Sequence, residues 1–448
     1  MFHSGQGTIR PRHAVFGELR NAKGDKLDAG LATFFQAPHS YTGQDLVEIG
    51  CHGGILVVRR VLEQLLALGA RMAEPGEFTQ RAFLNHKLDL TQAEAVMDLI
   101  RAQTDLALRA ANEQLAGGLG GELKTVQEEL LQTLAHLEAY IDFPDEDIDP
   151  ETGGKLIARL QRIADTFGRL LASAETGRML RHGVRTVIYG EPNVGKSSLL
   201  NVLLGYERAI VSTVAGTTRD TIEETINLRG LPLRLVDTAG DREVADSVEL
   251  EGIRRTRREL ENADLILHVV DASQPQPSRA VWSDVATRLS DSTEVAEVSP
   301  KSLAKSEVAQ TRDGGDLLPP LKDRRALLVL NKIDLGLHSD WVQQSGVRFS
   351  CLSGFGQSDL ENAIWELITR QSGMTSDFRI AINTRHQNCL TQARKAVATA
   401  IAGLEEQKLI ELVAIDVRTA LNQVGEVVGK TDTDDLLDRI FSQFCIGK

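Results

Sequence analysis

The stretch GEPNVGKSSLLN, residues 190–201, decides the fold of the middle of this chain. It follows the apolar run RTVIYG and opens a helical pattern, the strand–loop–helix context that the phosphate-binding signature G-x-x-x-x-G-K-S requires. Gly190 and Gly195 allow successive backbone N–H groups to face phosphate oxygens. Lys196 is expected to reach the β- and γ-phosphates, and the Ser197 hydroxyl to bind magnesium. The stretch therefore predicts a P-loop nucleotide site.

Two later segments carry residues that a nucleotide switch requires. AGTTRD, residues 215–220, lies between the P-loop and the next long apolar strand, and Thr218 is its candidate for a second magnesium ligand. VDTAG, residues 236–240, ends that strand, so Asp237 is predicted to reach the magnesium shell. The N–H of Gly240 is predicted to approach the γ-phosphate.

The segment NKID, residues 331–334, indicates that the base is guanine. It ends the apolar run ALLVL, where a carboxylate can accept from the ring N–H and the exocyclic amine of guanine. Adenine lacks that amine, so the carboxylate would be left without a partner. With all four segments in this order, the sequence predicts a GTPase.

One expected residue of many regulatory GTPases is absent from the sequence. Asp241 stands where those proteins carry a glutamine that orients the attacking water. No arginine finger can be assigned either. Another acid is therefore expected to position the water, and another positive charge to offset the charge that develops on the phosphate.

Hydrophobic patterning places this α/β domain inside a helical one. Between Arg185 and about Arg370, short β-branched runs alternate with helical stretches, which predicts a parallel sheet covered by helices. Long amphipathic helical patterns precede it from Leu88 and follow it after Asp377. Residues 11–85 mix short β-like runs with one apolar helix.

The predicted fold class is multidomain, α+β and α/β, and includes an inserted Ras-like P-loop GTPase domain. The second half of a long connection inside that domain is rich in Ser, Pro, Asp and Gly, and the connection is predicted to be a surface insertion. The predicted limits are 1–86 for an N-terminal α+β domain, 87–180 and 373–448 for a discontinuous helical domain, 181–372 for the GTPase domain and about 274–322 for its insertion.

Bulk composition limits the classes of partner. The chain has 448 residues and a formal net charge of −13, so contact with RNA is expected to be local or shared with another protein. It contains no apolar run long enough for a membrane span and no apolar signal core. Its four cysteines show no paired spacing, which is typical of the cytoplasm.

Several segments together resemble the MnmE/TrmE family of tRNA-modifying GTPases, which act on the wobble uridine of certain tRNAs. They are YTGQDLVEIGCHGG, PGEFTQRAFLNHKLDLTQAEA, the GTTRD switch and the terminal FCIGK, together with the inserted GTPase domain. The resemblance runs from about Pro11 to Lys448, interrupted by the insertion.

The resemblance implies a folate-binding-like N-terminal domain that also forms a constitutive homodimer. The one-carbon donor would be 5-formyltetrahydrofolate, with contacts from Glu48, Lys87 and the terminal Lys448. Cys445, in the tail, would approach the folate pocket and take a catalytic part as a nucleophile or proton carrier. An MnmG-type, FAD-dependent flavoprotein would complete a heterotetramer and supply much of the tRNA surface.

The resemblance also implies that paired GTPase domains bind potassium beside the phosphates. Potassium would act electrostatically in place of an arginine finger, held by Asn193 with Ser212, Val214 and Thr217 around it. Glu249 would position the attacking water through a bridging water. GTP and magnesium would be bound by the P-loop, both switches and the base-binding segment, with magnesium on Ser197 and Thr218. Those contacts are Asn193, Val194, Gly195, Lys196, Ser197, Ser198, Ser212, Thr213, Val214, Ala215, Gly216, Thr217, Thr218, Asp237, Thr238, Ala239, Gly240, Asn331, Lys332 and Asp334.

The start of the chain departs from the family pattern. The family begins with an extra segment rich in Gly and Arg, where this chain has only MFHSGQGTIR, and one folate-contacting arginine has no counterpart. Two other functions stay open at this point: a ribosome-assembly switch GTPase without chemistry on RNA, and a folate enzyme with a vestigial GTPase domain. The first predicts a compact basic RNA-binding appendage, which the sequence lacks, and the complete set of nucleotide motifs argues against the second.

Overall fold

The computed structural model describes residues 1–4, 10–142, 153–205, 223–236, 258–276, 325–371, 381–429, 440–441, 444 and 447. The chain divides into two compact units, one comprising residues 1–100, 110–171 and 382–448, the other residues 101–109 and 172–381. The domain limits stated above remain predictions. None of the described helices is both long and apolar enough to cross a membrane.

The first unit begins with an antiparallel sheet of four strands in sequential order. They are β1 (Phe2–His3), β2 (Ala14–Arg20), β3 (Lys26–Phe35) and β4 (Leu46–Gly50). In β2 buried residues alternate with exposed ones, as expected for a sheet with one open face. On that open face Phe16 lies opposite Leu31, and Thr33 lies opposite Glu48.

Helices form the rest of this unit. They are α1 (Ile55–Ala67), α2 (Glu77–Leu84), α3 (Leu90–Arg101), α4 (Asp105–Leu115, whose first residues belong to the other unit), α5 (Gly118–Asp142), α6 (Gly153–Ala172), α10 (Thr384–Glu405) and α11 (Ile410–Val428). Helix α11 packs on both α5 and α10. Because the apolar residues recur at helical spacing, each of these long helices buries one stripe of Leu, Val and Ala.

The described part of the C-terminal tail packs against the start of this helical region. Phe441 and Phe444 are buried in a cluster with Leu90, Ala93 and Met97. A Cβ atom at Gly76 would lie 2.8 Å from the carbonyl oxygen of Phe441. Glycine is therefore required where the tail crosses the turn that begins α2.

The second unit is an α/β domain. Its sheet has the order β10-β9-β8-β5-β7-β6, and all neighbouring pairs are parallel except β6 with β7. The strands are β5 (Val184–Tyr189), β6 (Glu223–Leu228), β7 (Leu231–Val236), β8 (Leu265–Asp271), β9 (Arg325–Asn331) and β10 (Val347–Arg348), with helices α7 (Ala174–His182), α8 (Lys196–Leu204) and α9 (Gln357–Gln371). Strand β8 is buried along nearly its whole length, as in a sheet covered on both faces. The predicted parallel sheet with helices is confirmed.

Helix α7 is attached to the second unit by ion pairs. Arg178 binds Asp264 at 2.9 Å, and Arg325, at the first residue of β9, binds Glu175 at 2.5 Å. Asp264 also accepts a hydrogen bond from the backbone N–H of Arg185, the second residue of β5. These contacts fix the end of the sheet opposite the P-loop.

Candidate nucleotide site

The P-loop joins β5 to α8 at the carboxyl end of the central strands. Three of its residues have left-handed or otherwise positive φ angles: 156° at Gly190, 64° at Asn193 and 102° at Gly195. A Cβ atom at Gly190 would lie 2.2 Å from the carbonyl oxygen of Val269, so only glycine fits there. The predicted strand–glycine loop–helix context is present, and Gly195 is the N-cap of α8.

The lysine and serines of the loop lie at the amino end of α8. Nζ of Lys196 donates to the carbonyl oxygen of Glu191 at 2.8 Å, so the ammonium group spans the loop. Ser197 and Ser198 are exposed in the first turn of the helix, where backbone N–H groups and the helix dipole favour an anion. The arrangement is suited to phosphate binding.

Asn331, the first residue of the NKID segment, joins the two halves of the site. It is 2% exposed, and its Nδ2 donates to the carbonyl oxygen of Val194 in the P-loop at 2.8 Å. Its Oδ1 accepts from the backbone N–H of Cys351 at 3.2 Å. One buried side chain therefore fixes the P-loop against the segment predicted to bind the base.

Asp334, the last residue of the NKID segment, is exposed. Its Oδ1 accepts a hydrogen bond from Oγ of Ser350 at 2.5 Å, and Ser350 in turn accepts from the N–H of Ser353 at 3.2 Å. The second carboxylate oxygen of Asp334 makes no hydrogen bond within the described residues. The carboxylate is thus oriented with one oxygen available to a base.

Lys332 adopts φ 63°, and its Nζ donates to Oδ2 of Asp271 at 2.8 Å. Partial burial would raise the pKa of Asp271, but hydrogen bonds from Lys332 and Ser273 outweigh it and hold that pKa below its usual value. The ammonium group of Lys332 is therefore fixed at the end of β8.

Two residues of this site were not predicted from the sequence. Ser350 orients Asp334, and the backbone N–H of Cys351 holds Asn331. Burial raises the pKa of the Cys351 thiol, so it is protonated at neutral pH. The run SCLSG after β10 contains the turn-forming Ser and Gly that could have marked this loop, but the contacts it makes span 16 and 20 residues.

The nearby histidine supplies no positive charge at neutral pH. His268 lies beside Tyr189 at the end of β5, with ring centroids 5.3 Å apart. Burial lowers the pKa of His268 to about 4. Its imidazole is therefore neutral near pH 7.

The remaining residues predicted for this site lie outside the described residues. They are Ser212, Thr213, Val214, Ala215, Gly216, Thr217 and Thr218 of the first switch, Asp237, Thr238, Ala239 and Gly240 of the second, and Glu249. Cys445 and Lys448 also lie outside them. The roles stated for these residues stay predictions.

The two predicted folate contacts that the structure describes are both exposed. Glu48 lies on the open face of the four-stranded sheet, opposite Thr33. Nζ of Lys87 donates to the carbonyl oxygen of Pro38 at 3.2 Å. In the described part of the chain Glu48 and Lys87 make no ion pair with each other.

A first prediction concerns the close approach of the P-loop to Asn331. A Cβ atom at Gly195 would lie 2.3 Å from Nδ2 of Asn331, at a φ that alanine adopts only with strain of about 1–2 kcal/mol. Gly195→Ala is therefore expected to lower GTP affinity at least ~10-fold. Calorimetric titration with GTP measures the effect.

Gly121→Ala is the matched control, because a Cβ at Gly121 on α5 would meet no atom within 4 Å. It is expected to leave GTP affinity unchanged. Equal GTP affinity of Gly195→Ala and the wild type would contradict the described contact between the P-loop and Asn331.

The chain is similar to known proteins over nearly its whole length. Residues 1–87 match the family model described as GTP-binding protein TrmE N-terminus, and residues 90–445 match that of the MnmE helical domain. A protein of Akkermansia muciniphila named tRNA modification GTPase MnmE is 49% identical over 98% of this chain and 90% of its own length. Proteins with the same name from Geobacter sulfurreducens and Aquifex aeolicus are 44% and 41% identical, over 99% and 98% of this chain and 91% of their own lengths.

Proposed function

This chain belongs to the MnmE family of tRNA modification GTPases, and from that premise we propose that it hydrolyses GTP to drive modification of the wobble uridine of certain tRNAs. The chain is a GTP hydrolase. The modification would install an aminomethyl or carboxymethylaminomethyl group at carbon 5 of the uracil. The observation that carries the proposal is that buried Asn331 connects the P-loop to the segment that contains exposed Asp334. It is made in a chain that matches these relatives over nearly all its length.

Within the nucleotide site each described residue has a distinct task. Asp334, oriented by Ser350, accepts the N–H groups of guanine, and Asn331 keeps the base-binding segment in register with the phosphate loop. Lys196 exchanges its carbonyl partner, Glu191, for the β- and γ-phosphates when GTP binds. The backbone N–H groups of the loop and of the first turn of α8 then face the phosphate oxygens.

The residue types predicted for the site suit two cations. The exposed Ser197 hydroxyl, with Thr218 and Asp237, has the oxygen chemistry that magnesium requires. The exposed side chain of Asn193 offers an amide oxygen for potassium, with Ser212, Val214 and Thr217 as the other ligands. When bound, these ions supply positive charge beside the phosphates; Glu249 orients the attacking water through a second water. His268 is neutral near pH 7, so it cannot supply this positive charge.

Potassium dependence is the second prediction. The rate of GTP hydrolysis is expected to be at least ~10-fold higher in potassium chloride than in sodium chloride of the same ionic strength, because removing one stabilising charge from the transition state costs a factor of this size or larger. Asn193→Ala should abolish the difference between the salts. Steady-state phosphate release measures both.

The variant Asn193→Gly distinguishes loss of the potassium ligand from a change in the backbone of the loop. Asn193 has φ 64°, which glycine adopts without strain, so this variant keeps the loop and loses only the amide oxygen. It should also lose the potassium effect. Full retention of the effect in Asn193→Gly would show that the amide is not a potassium ligand.

The open face of the N-terminal sheet has the chemistry that a reduced folate needs. Glu48 is an exposed acceptor for pterin N–H groups. On the same face lie two apolar residues, Phe16 and Leu31, which are 69% and 47% exposed. Glu48, Lys87 and Lys448 would bind 5-formyltetrahydrofolate, which supplies the one-carbon unit. Phe444 is buried beside Gly76 at the start of α2, and this supports a tail that holds Cys445 close to α2.

The working assembly would be a homodimer joined to an FAD-dependent flavoprotein of the MnmG type in the cytoplasm. Helix α1 supports a subunit interface, because only Val61 of its side chains is buried while Ile55 and Leu56 are 90% and 65% exposed. GTP-driven closure of paired GTPase domains would propagate to the helical domain. The flavoprotein would provide the flavin and tRNA contacts that this acidic chain needs.

The proposal is tested in a bacterial strain that lacks its own member of this family. Mass spectrometry of its tRNA nucleosides should show the modified wobble uridine restored by this chain and absent with Cys445→Ser. If the wild-type chain restores growth but not the modified nucleoside, the alternative of a ribosome-assembly switch is favoured. Full restoration by Cys445→Ser would remove the thiol from the mechanism.

A further inference from the structure

Helices α6 and α10 carry a charge opposite to that of the chain as a whole. The two helices contain seven Lys and Arg residues but only two acids, Asp165 and Glu405, in a chain with 50 Lys and Arg against 63 Asp and Glu. Between Thr384 and Leu404, helix α10 contains no Asp or Glu. Positive charge is therefore concentrated on this pair of helices.

The cations of α6 lie along one exposed face. Lys155, Arg162 and Arg169 recur at intervals of seven residues, which an α-helix places in one row about 10 Å apart. All three side chains are exposed. The buried stripe of the helix consists of the adjacent residues Leu156, Leu160, Ile163, Phe167 and Leu170. The row is thus held outward by the packing of the apolar stripe.

Helix α10 carries two further exposed cations, one of which borders α6. Arg394 and Lys395 are exposed, and the guanidinium carbon of Arg394 would lie 4.0 Å from a Cβ atom at Gly168 of α6. The exposed side of α6 therefore runs from Arg394 at one border to the row of Lys155, Arg162 and Arg169. We call these five side chains the α6–α10 surface.

In the described part of the chain these five cations are not held in ion pairs, and Asp165 is the one acid on the exposed side of α6. Within the described residues, Arg169 donates only to Oγ1 of Thr166 at 3.3 Å. By contrast, Arg385 on the inner side of α10 is bound to Glu94. Exposed, unpaired and aligned cations are suited to a polyanion, since each phosphate contact releases condensed counterions.

We propose that the α6–α10 surface binds the phosphate backbone of the tRNA substrate. This inference rests on the proposed function, which supplies the polyanion. Contacts to phosphates position an RNA without reading its sequence. The surface would therefore hold the tRNA body and leave recognition of the wobble base to other residues.

The experiment measures tRNA binding to the full chain over a series of potassium chloride concentrations. The triple variant Lys155→Gln, Arg162→Gln and Arg169→Gln is expected to lower affinity about 10- to 100-fold near physiological salt and to reduce the slope of log K against log salt by about 2–3. The double variant Arg394→Gln and Lys395→Gln should reduce the slope by about 1–2.

Arg10→Gln with Lys23→Gln is the matched control for the double variant, because both side chains are exposed on the N-terminal part and the change in charge is equal. It should leave the slope unchanged. GTP hydrolysis without tRNA should be unchanged in all three variants, which excludes unfolding.

Three results would overturn the inference. One is a triple variant that binds tRNA with the wild-type slope; another is a control that weakens binding as much as the double variant. A third is normal tRNA binding with loss of the flavoprotein from pull-downs, which would assign the surface to an acidic protein partner. Failure of the proposed function would be seen in a different experiment, the bacterial complementation described above, if the wild-type chain did not restore the modified nucleoside.

Discussion

Replacing Asp334 with asparagine is expected to lower kcat/KM for GTP about 10⁴- to 10⁵-fold and to create activity toward xanthosine triphosphate. A site built to bind a ligand's N–H groups discriminates by factors of this size, because unsatisfied polar groups are left behind. The asparagine keeps one oxygen for Ser350, but its amide NH₂ would face the amine of guanine, donor against donor. Xanthine presents a carbonyl oxygen at that position and accepts the bond.

The orientation of Asp334 makes this result specific to one carboxylate. Ser350 holds one oxygen at 2.5 Å, which leaves the other for the proposed contact with the base. Asp340→Asn is the matched control: this aspartate is also exposed and accepts from the N–H of Gln276 at 3.0 Å. GTP and xanthosine triphosphate kinetics should change in the first variant alone. Unchanged use of GTP by Asp334→Asn would refute the assignment of the base pocket.

The second large effect is expected from Glu94, which is buried in the helical region. Its carboxylate binds Nε of Arg385 at 2.9 Å and Nε2 of His386 at 2.6 Å, and these two residues lie in the first turn of α10. The side chains of Glu94, Arg385 and His386 are 11%, 17% and 0% exposed. Removing one partner of such a buried group leaves charge and polar atoms without compensation.

Glu94→Ala should therefore lower the free energy of unfolding by about 3–5 kcal/mol, and Glu94→Gln by less, since the amide oxygen still accepts one bond. Urea unfolding followed by far-ultraviolet circular dichroism measures the helical transition. Glu128→Ala on the exposed face of α5 is the control and should cost under about 1 kcal/mol. Equal urea midpoints for Glu94→Ala and Glu128→Ala would disprove the role of the cluster.

The same cluster predicts a pH dependence of stability. Burial would raise the pKa of Glu94, but ion pairing with His386 and Arg385 outweighs burial and places the pKa well below its usual value. Because the folded pKa lies below the unfolded one, the contribution is complete above the ordinary glutamate pKa and is lost as pH falls below it. Glu94→Gln should flatten this acidic loss.

The sequence predicts the P-loop because its residues are close together in the chain. Gly190, Gly195, Lys196 and Ser197 belong to one loop whose geometry is set by local backbone requirements, and the structure has that loop in the predicted context. The alternation of apolar strands and helices likewise predicts the parallel sheet. Local patterns of this kind agree with the folded structure because the residues that determine each element lie within a few positions of one another.

Contacts between distant residues could not be predicted in this way. Glu94 and Arg385 are separated by 291 positions, and neither has a spacing pattern that marks a buried pair. Ser350 meets Asp334 only because β10 pairs with β9 and returns the chain to the end of the sheet. Such pairs depend on strand order and helix packing, which periodicity alone does not specify.

The most direct test of the account is whether tRNA modification follows the nucleotide bound at this site. The purified chain, the proposed flavoprotein partner, the proposed folate donor and unmodified tRNA would be incubated with either GTP or xanthosine triphosphate, and the modified wobble uridine measured by mass spectrometry. We expect the wild type to require GTP and Asp334→Asn to require xanthosine triphosphate. Modification by Asp334→Asn at the wild-type rate in GTP, or by either protein without any nucleotide, would contradict the account.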